Sequence, residues 1–354
     1  MSTQAKKVVV GMSGGVDSAV AAWLLRREGC EVVGVTLRTW SGEETSRCCE
    51  IDAAAETAQA LGIEFRSWNV VDDFNRKVIE PFVKDYRSGL TPNPCVECNR
   101  RVKWEWLVYI AGVLGADRVA TGHYARLVRT SGGRFAVKRA ADNGKDQSYM
   151  LYQLTQEQLA KTVFPLGEYS KAEVRRMAGE IGLEVAAKKD SQEICFAPSG
   201  DYAAYIEERT RSIAPPGNFV DENGNVLGRH RGIIRYTVGQ RRGLDLALGY
   251  PVYVKRIDAA KNEVVIGAAE SLYAREIFCR DLNFMSREEP LPGEEISATV
   301  KIRYQHVGSA ATLVKTDDGL VKVVFPEAVR ASAPGQSAVF YDETGLVIGG
   351  GKII

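Results

Sequence analysis

The sequence predicts an α/β chain in which an N-terminal parallel-sheet domain is followed by two small β-barrel domains. Three observations carry this. From residue 7 to about 190, short β-branched runs alternate with longer helical patterns, as strands and crossover helices do in a parallel sheet. A glycine-rich turn, Gly11-Met12-Ser13-Gly14-Gly15-Val16-Asp17-Ser18, joins the first apolar run to the first helical pattern. After Ala214-Pro215-Pro216-Gly217 the pattern changes to short alternating strands, punctuated by Glu222-Asn223-Gly224, Asp317-Asp318-Gly319 and Glu343-Thr344-Gly345. A second break near Arg280 to Pro292 divides this part in two, which gives domains 1–205, 206–278 and 279–354.

In order along the chain, strands are expected at Val8 to Met12, Val32 to Leu37, Phe65 to Val70 and Arg118 to Ala120. Helices are expected from about Ser18 to Glu28, Asp52 to Leu61, Asp72 to Tyr86 and Arg100 to Leu114, with Gly29, Gly62 and Gly115 suited to left-handed caps. Lys171 to Ile181 follows, with Val174, Met177, Ala178 and Ile181 on one helical face. Ligands of such sheets bind beyond the carboxyl ends of strands, where the Ser13 to Ser18 turn, Leu37 and Thr121-Gly122-His123 fall.

With 354 residues, 45% hydrophobic and 26% charged, the chain can bury the cores of two or three globular domains. No basic start precedes an apolar segment, and no apolar run approaches the ~20 residues that span a bilayer, so a cytoplasmic protein with no membrane partner is expected. A net charge of +1 argues against wholesale coating of nucleic acid while allowing local phosphate-binding patches. Seven cysteines, an odd number, do not suit a disulfide scaffold. Cys30 and Cys279 sit in apolar surroundings and read as small buried hydrophobes, while Cys48 and Cys49 lie in a polar stretch with no assignable role.

The glycine-rich turn exposes successive backbone N–H groups at a positive helix end, which captures phosphate without a lysine. It lacks the Gly-Lys-Ser/Thr ending of the nucleoside-triphosphatase loop and the glycine spacing of a dinucleotide site; an ordinary strand-to-helix turn is the alternative. Thr91-Pro92-Asn93-Pro94-Cys95-Val96-Glu97-Cys98-Asn99 puts two thiols on a proline-stiffened loop before a basic helix with Arg100, Arg101 and Lys103, where a helix end and cations favour a thiolate. Half of a zinc site is the alternative, short of ligands because no second Cys-x-x-Cys or His-x-x-x-His follows. Cys195 closes Lys188-Lys189-Asp190-Ser191-Gln192-Glu193-Ile194-Cys195-Phe196 and is either a second reactive cysteine or a buried thiol. Two separated cysteines beside a phosphate loop suggest sulfur transfer, one carrying a persulfide and the other resolving it. Between Arg229 and Arg242, five arginines and Tyr236 occur without an acid, which suits RNA phosphates and stacked bases, or else a solvated strand face.

Ser-Gly-Gly-Val-Asp-Ser resembles the pyrophosphate loop of ATP-dependent adenylating enzymes. With Thr-Pro-Asn-Pro before Cys98-Asn99, Thr121-Gly-His-Tyr-Ala125, Lys145-Asp-Gln-Ser-Tyr149, Lys189-Asp-Ser-Gln-Glu-Ile-Cys-Phe196, Tyr236-Thr-Val-Gly-Gln-Arg-Arg-Gly-Leu244, Lys301-Ile-Arg-Tyr304 and Pro334-Gly-Gln-Ser-Ala-Val-Phe-Tyr341, nearly the whole chain resembles the tRNA-specific 2-thiouridylases. The resemblance implies an adenylating domain ahead of the barrels and 2-thiolation of the wobble uridine of tRNA. It implies that Gly11, Met12, Ser13, Gly14, Gly15, Val16, Asp17, Ser18, Leu37 and Gly122 bind ATP, accompanied by Mg2+. It further implies that Cys98 is the nucleophile and that Cys195 carries persulfide sulfur from a donor protein or sulfide. Contacts to tRNA are implied for Asn93, Pro94, Cys95, His123, Lys145, Asp146, Gln147, Arg303, Tyr304 and Gln336. Cys95 stands where many members carry Asp, which leaves three thiols, Cys95, Cys98 and Cys195, able in principle to hold a 4Fe-4S cluster with one open iron. An ammonia-dependent amidating synthetase or a zinc-bearing tRNA-binding module are the rival readings; neither uses both the loop and the cysteines.

Overall fold

A computed structural model describes residues 6–40, 51–183, 194–197 and 200–354. Cys48, Cys49 and the Lys188 to Glu193 part of the Cys195 motif lie outside the described residues. The first domain runs β1 (Lys7–Gly11), α1 (Val16–Arg27), β2 (Glu31–Arg38), α2 (Ile51–Ala60), β3 (Glu64–Asn69), α3 (Val71–Phe74), α4 (Glu80–Arg87), α5 (Pro94–Cys98), α6 (Trp104–Val113) and β4 (Arg118–Thr121). A hairpin of β5 (Arg126–Arg129) and β6 (Phe135–Lys138) follows, then α7 (Gln156–Ala160), β7 (Thr162–Val163), α8 (Lys171–Glu180) and α9 (Tyr202–Thr210). The sheet order is β3-β2-β1-β4-β7, all parallel. The chain leaves β1 toward β2 and returns to its other side as β4, so the switch point lies between β1 and β4.

Alternation along β1 divides the core. Val8 and Val10 face a cluster with Ala19, Ala22 and Leu25 of α1, whereas Val9 faces the opposite cluster with Val33, Val35 and Leu37 of β2. The other face of α1, with Val16, Val20, Ala21 and Leu24, meets Val174, Met177 and Ala178 of α8. Enclosure on both faces explains why α1 is apolar nearly all round and not amphipathic.

Two helices contain single π turns. Asn75–Ile79 joins α3 to α4, and Asn99–Lys103 joins α5 to α6, with helical dihedrals at each junction. The second helix therefore begins at Pro94, earlier than the Arg100 expected from the sequence. The reason is local: Asn93 caps it by accepting the Cys95 N–H at 3.2 Å, and Pro94 occupies the first helical position, where its missing N–H costs nothing.

The remainder is β structure. β8 (Gly217–Val220), β9 (Val226–His230), β10 (Tyr253–Asp258) and β11 (Glu263–Gly267) form a four-stranded sheet of order β10-β11-β8-β9. β12 (Tyr273–Phe284), β13 (Glu295–Lys301), β14 (Ser309–Lys315), β15 (Val321–Arg330), β16 (Ser337–Tyr341) and β17 (Val347–Ile353) close into a barrel. Its interior is the cluster around Val300, Val321, Val323 and Phe340. Tyr236 does not serve as an exposed stacking surface: it is 3% exposed and packs edge-on to Phe219 and His230. Two of the neighbouring arginines are also paired, Arg235 with Glu207 at 2.5 Å and Arg231 with Asp245 at 3.2 Å.

Candidate active site at the carboxyl edge of the parallel sheet

The glycine-rich turn leaves β1 at the switch point. Met12 N–H bonds to Val35 O at 2.8 Å and Met12 O accepts from Thr36 Oγ1 at 2.8 Å, which fixes the start of the loop to β2. Gly14 lies in the left-handed region, with φ +69°, that other residues adopt at a cost. Ser18 Oγ donates to Gly15 O at 3.0 Å and accepts from Ser13 N–H at 3.2 Å, closing the loop on itself. Gly15 at the N-cap brings no side-chain cap, so the first N–H groups of α1 have no side chain bonded across them. Across the switch point, a Cβ on Gly122 would lie 2.6 Å from both Asp17 C and Ser18 N. Only glycine lets the end of β4 touch the first turn of α1. These features fit phosphate: an uncapped 12-residue helix start behind a glycine turn offers N–H donors and a partial positive charge.

Asp17 adds a carboxylate to this positive end. Lys171 Nζ holds both its oxygens at 2.8 Å, and Tyr124 Oη donates to Oδ1 at 2.7 Å. Lys171 is 8% exposed and opens α8 just after its cap, Ser170, whose capping box with Glu173 fixes the helix start. Neither Lys171 nor Tyr124 was singled out in the sequence; the Ser170 to Glu173 spacing was the available signal. Leu37, 8% exposed, contributes its side chain to the core at the end of β2.

The helix carrying the cysteines returns from this edge to the start of β4, as a crossover helix must, so its Pro94 end lies on the carboxyl side of the sheet. Trp104 ties it there, donating Nε1–H to Thr162 Oγ1 at 2.7 Å and packing its ring 5.5 Å from that of His123. His123 Nδ1 pairs with Thr121 Oγ1 at 2.7 Å; burial, assisted by Lys103, pushes its imidazole pKa down to about 3. It is a neutral ring at working pH. Because the helix starts at Pro94, Cys95 sits at the second helical position and is exposed, while Cys98 lies a turn further in and is 8% exposed. The terminal turn's field thus acts on Cys95 more than on Cys98. Cys98 belongs to the large apolar cluster, and Cys195 packs against that cluster from its edge beside Phe196.

For the iron–sulfur expectation at Cys95, Cys98 and Cys195, the described residues offer no assembled ligand set. Among the described residues no three His, Cys, Asp or Glu side chains gather to hold a metal. Tyr304 packs on Tyr149, and Tyr205 on Phe196.

The C-terminal barrel completes the edge. Gln336 Nε2 donates to Thr91 O at 2.8 Å, Thr91 N–H donates to Pro334 O at 2.8 Å, and Lys352 pairs with Glu97 at 2.8 Å. The barrel therefore grips the helix one residue before Cys98. Tyr304 Oη donates to Asp146 O at 3.2 Å, and Lys301 lies 5.7 Å over the Tyr304 ring, its pKa lowered by burial. Asp146 is buried and accepts from Ala140 N–H, Ser148 N–H and Ser148 Oγ, so its carboxylate organises the turn that presents Lys145 and Gln147. Gln147 Oε1 accepts from Tyr124 N–H at 3.0 Å, linking that turn to the Asp17 contact. Arg303 is exposed and donates to Arg330 O at 3.1 Å. Asn93 and the buried Pro94 serve the cap described above.

Comparison with known proteins agrees with this layout. Residues 6–199 match the family described as tRNA methyl transferase HUP domain, 204–268 its PRC-barrel domain, and 274–353 the aminomethyltransferase beta-barrel domain. The tRNA-specific 2-thiouridylase MnmA of Lachnoclostridium phytofermentans is 50% identical over 99% of each chain. That of Clostridium perfringens is 48% identical over 98% of each, and that of Clostridium botulinum is 47% identical over 100% of this chain and 99% of the relative. A solved U34-tRNA thiolase, NcsA from Methanococcus maripaludis with its 4Fe-4S cluster, covers 58% of this chain and 66% of its own at 21% identity and a TM-score of 0.36, too loose a match to carry a cluster across. At such identity over the full length of the 2-thiouridylases, this chain belongs to the tRNA-specific 2-thiouridylase family.

Proposed function

We propose that this chain is an ATP-dependent tRNA sulfurtransferase that replaces O2 of the wobble uridine by sulfur, acting in the cytoplasm. The observation that carries the reading is that one sheet edge holds both the uncapped α1 terminus, closed over by Gly122, and the Pro94 end of the helix bearing Cys98. Domain 1–205 performs the chemistry, and domains 206–278 and 279–354 present the tRNA, with Arg303, Tyr304 and Gln336 on the barrel side of the cleft.

A carbonyl oxygen is a poor leaving group, and ATP supplies the activation. Uridine O2 attacks the α-phosphorus, pyrophosphate departs, and O2 becomes part of an AMP leaving group. The N–H groups of Gly14 to Ser18 hold the polyphosphate charge as it develops. Asp17, a carboxylate in the loop, is engaged by Lys171 and Tyr124; magnesium bound with ATP would screen the phosphate charge. The base reaches the site by flipping out of the anticodon stack.

A persulfide on Cys195 is the sulfur source: the Cys195 thiolate takes the outer sulfur of a donor protein's persulfide, and the donor departs as its thiol. Cys98 thiolate attacks Cys195 Sγ, forming a disulfide and releasing hydrosulfide, which adds to C2 and expels AMP with loss of a proton. A dithiol reductant then supplies two electrons to restore both cysteines. Cys98 belongs to the large apolar cluster, and Cys195 packs against it.

The test is anaerobic turnover with ATP, magnesium, a persulfide-bearing donor protein, a dithiol reductant and unmodified tRNA, read as 2-thiouridine by nucleoside mass spectrometry. Product that disappears in Cys98→Ser is expected. Absence of product while tRNA and ATP both bind would overturn the reading in favour of another enzyme of the same loop class.

A further inference from the structure

The phosphate cradle contains an electrostatic contradiction. A helix N-terminus attracts anions, and Asp17 places an anion of its own in the first turn, where it competes with polyphosphate for the same partial positive charge. The loop carries no lysine to offset it. Lys171 comes from 154 residues further along the chain and meets both Asp17 oxygens at 2.8 Å, with Tyr124 Oη on one of them at 2.7 Å. The side chains are largely withdrawn from solvent, 10% exposed for Lys171 and 32% for Asp17, so the pairing is only weakly screened.

The element that presents Lys171 is built to keep it there. The Ser170–Glu173 capping box sets the start of α8, Asp142 Oδ2 accepts the Lys171 N–H at 3.1 Å, and Val174, Met177 and Ala178 press α8 onto α1. Lys171 Nζ also lies 5.9 Å from the Tyr124 ring. Tyr124 is in turn held by Gln147, which belongs to the turn facing the barrel. At Gly122 the chain beyond β4 lies against the backbone of Asp17.

We propose that Lys171, with Tyr124, is a positioning residue that neutralises Asp17 and turns its carboxylate away from the anion cradle, so that the glycine loop can accept the polyphosphate of ATP. Lys171 thereby supplies in space the positive charge that other phosphate loops carry in sequence. This rests on the reading of the loop as a nucleotide site, and it concerns nucleotide binding alone, before tRNA or sulfur arrives.

The experiment is calorimetric binding of inorganic pyrophosphate and of α,β-methylene-ATP, in EDTA, to the full-length chain and four variants. Lys171→Met is expected to weaken both ligands by about tenfold or more, and Lys171→Arg to stay within about threefold of the original chain. Asp17→Asn is expected to tighten pyrophosphate severalfold, because the competing anion in the first turn of α1 is then gone. The decisive variant is Lys171→Met/Asp17→Asn: removal of both charges restores binding to within about threefold of the original. Lys171→Met binding as tightly as the original chain overturns the proposal. So does a folded double variant as weak as Lys171→Met, since a merely structural lysine would not be rescued by Asp17→Asn. If Lys171→Met does not fold, Asp17→Asn decides alone, and a tenfold loss there overturns the proposal. Because no tRNA is present, a chain that shows this pattern yet thiolates nothing would refute the sulfurtransferase reading and leave this one standing.

Discussion

Gly122→Ala isolates the geometry of the cradle from its chemistry. The added methyl would lie 2.6 Å from Asp17 C and Ser18 N and 3.0 Å from Asp17 O, about 0.8 Å short of ordinary contact with the nearest two. All three are backbone atoms in the first turn of α1, itself fixed between the sheet and α8, so no flexible side chain can absorb the overlap. Overpacking of this kind costs about 1–3 kcal/mol, and separating β4 from α1 shifts the N–H donors relative to the polyphosphate. A misplacement of about 1 Å costs on the order of 10²-fold in rate. The assay is tRNA-dependent pyrophosphate release, with kcat and KM for ATP taken separately. We expect kcat/KM for ATP to fall on the order of 10²-fold, with a lower melting temperature. Two controls separate position from composition. At Gly132 the nearest atom to an added Cβ is Thr130 Oγ1 at 3.9 Å, and at Gly179 in α8 nothing lies within 4 Å. Gly132→Ala is expected to leave both readouts unchanged, and Gly179→Ala to stabilise α8 by about 0.5–1 kcal/mol without changing KM. Gly122→Ala with ATP kinetics matching the original chain would refute the argument that close approach at the switch point builds the site.

Cys98→Ser and Cys195→Ser are each expected to abolish 2-thiouridine while retaining pyrophosphate release, because in the proposed sequence activation of O2 precedes sulfur transfer; loss of both products would place the cysteines in the first step. Lys352→Ala removes the barrel's grip on Glu97, a pair only 26% and 15% exposed, and is expected to cost about 1–3 kcal/mol in urea unfolding and to raise KM for tRNA more than KM for ATP. For His123, whose folded pKa of about 3 lies below the unfolded value near 6.5, the unfolded state binds the proton first. Stability from this residue is therefore complete above about pH 6.5 and is lost progressively as pH falls toward 3, by up to about 1.4 kcal/mol per pH unit. His123→Gln is expected to flatten the urea midpoint against pH across that window; an unchanged slope would show that the ring is not held neutral. Cys279, buried in the barrel with its thiol pushed up to about 12, is expected to resist iodoacetamide in the folded chain while exposed Cys95 reacts, as read by peptide mass mapping.

Much of the fold was written locally. Val8 to Val10, Gly14-Gly15 and the alanine-rich run after Ser18 dictate strand, turn and helix by nearest-neighbour sterics and periodicity, and the turn signals after Pro216 mark the β-rich half. What these local rules missed has identifiable causes. The helix start at Pro94 depends on a single Asn93 cap, which outweighs the loop character of two prolines. The hairpin of β5 and β6 is short, and β7 has only two residues, joined to the sheet by pairing with β4 and not by its own pattern. Tyr236 read as an accessible aromatic because sequence shows the arginines around it, and not the Phe219 and His230 rings that enclose it.

The sequence by itself determined the local features: a glycine turn at a strand's carboxyl end, a Cys-x-x-Cys pair at a helix start, and β-rich domains behind them, because those depend on residue type and short spacing. Only the tertiary structure decided which charges and contacts make the site work. Lys171 reaches Asp17, Gly122 touches the α1 turn, and Lys352 grips Glu97. Each is a contact between residues far apart in the chain, set by how helices pack on the sheet and by where the barrel docks. No window of the sequence contains both partners.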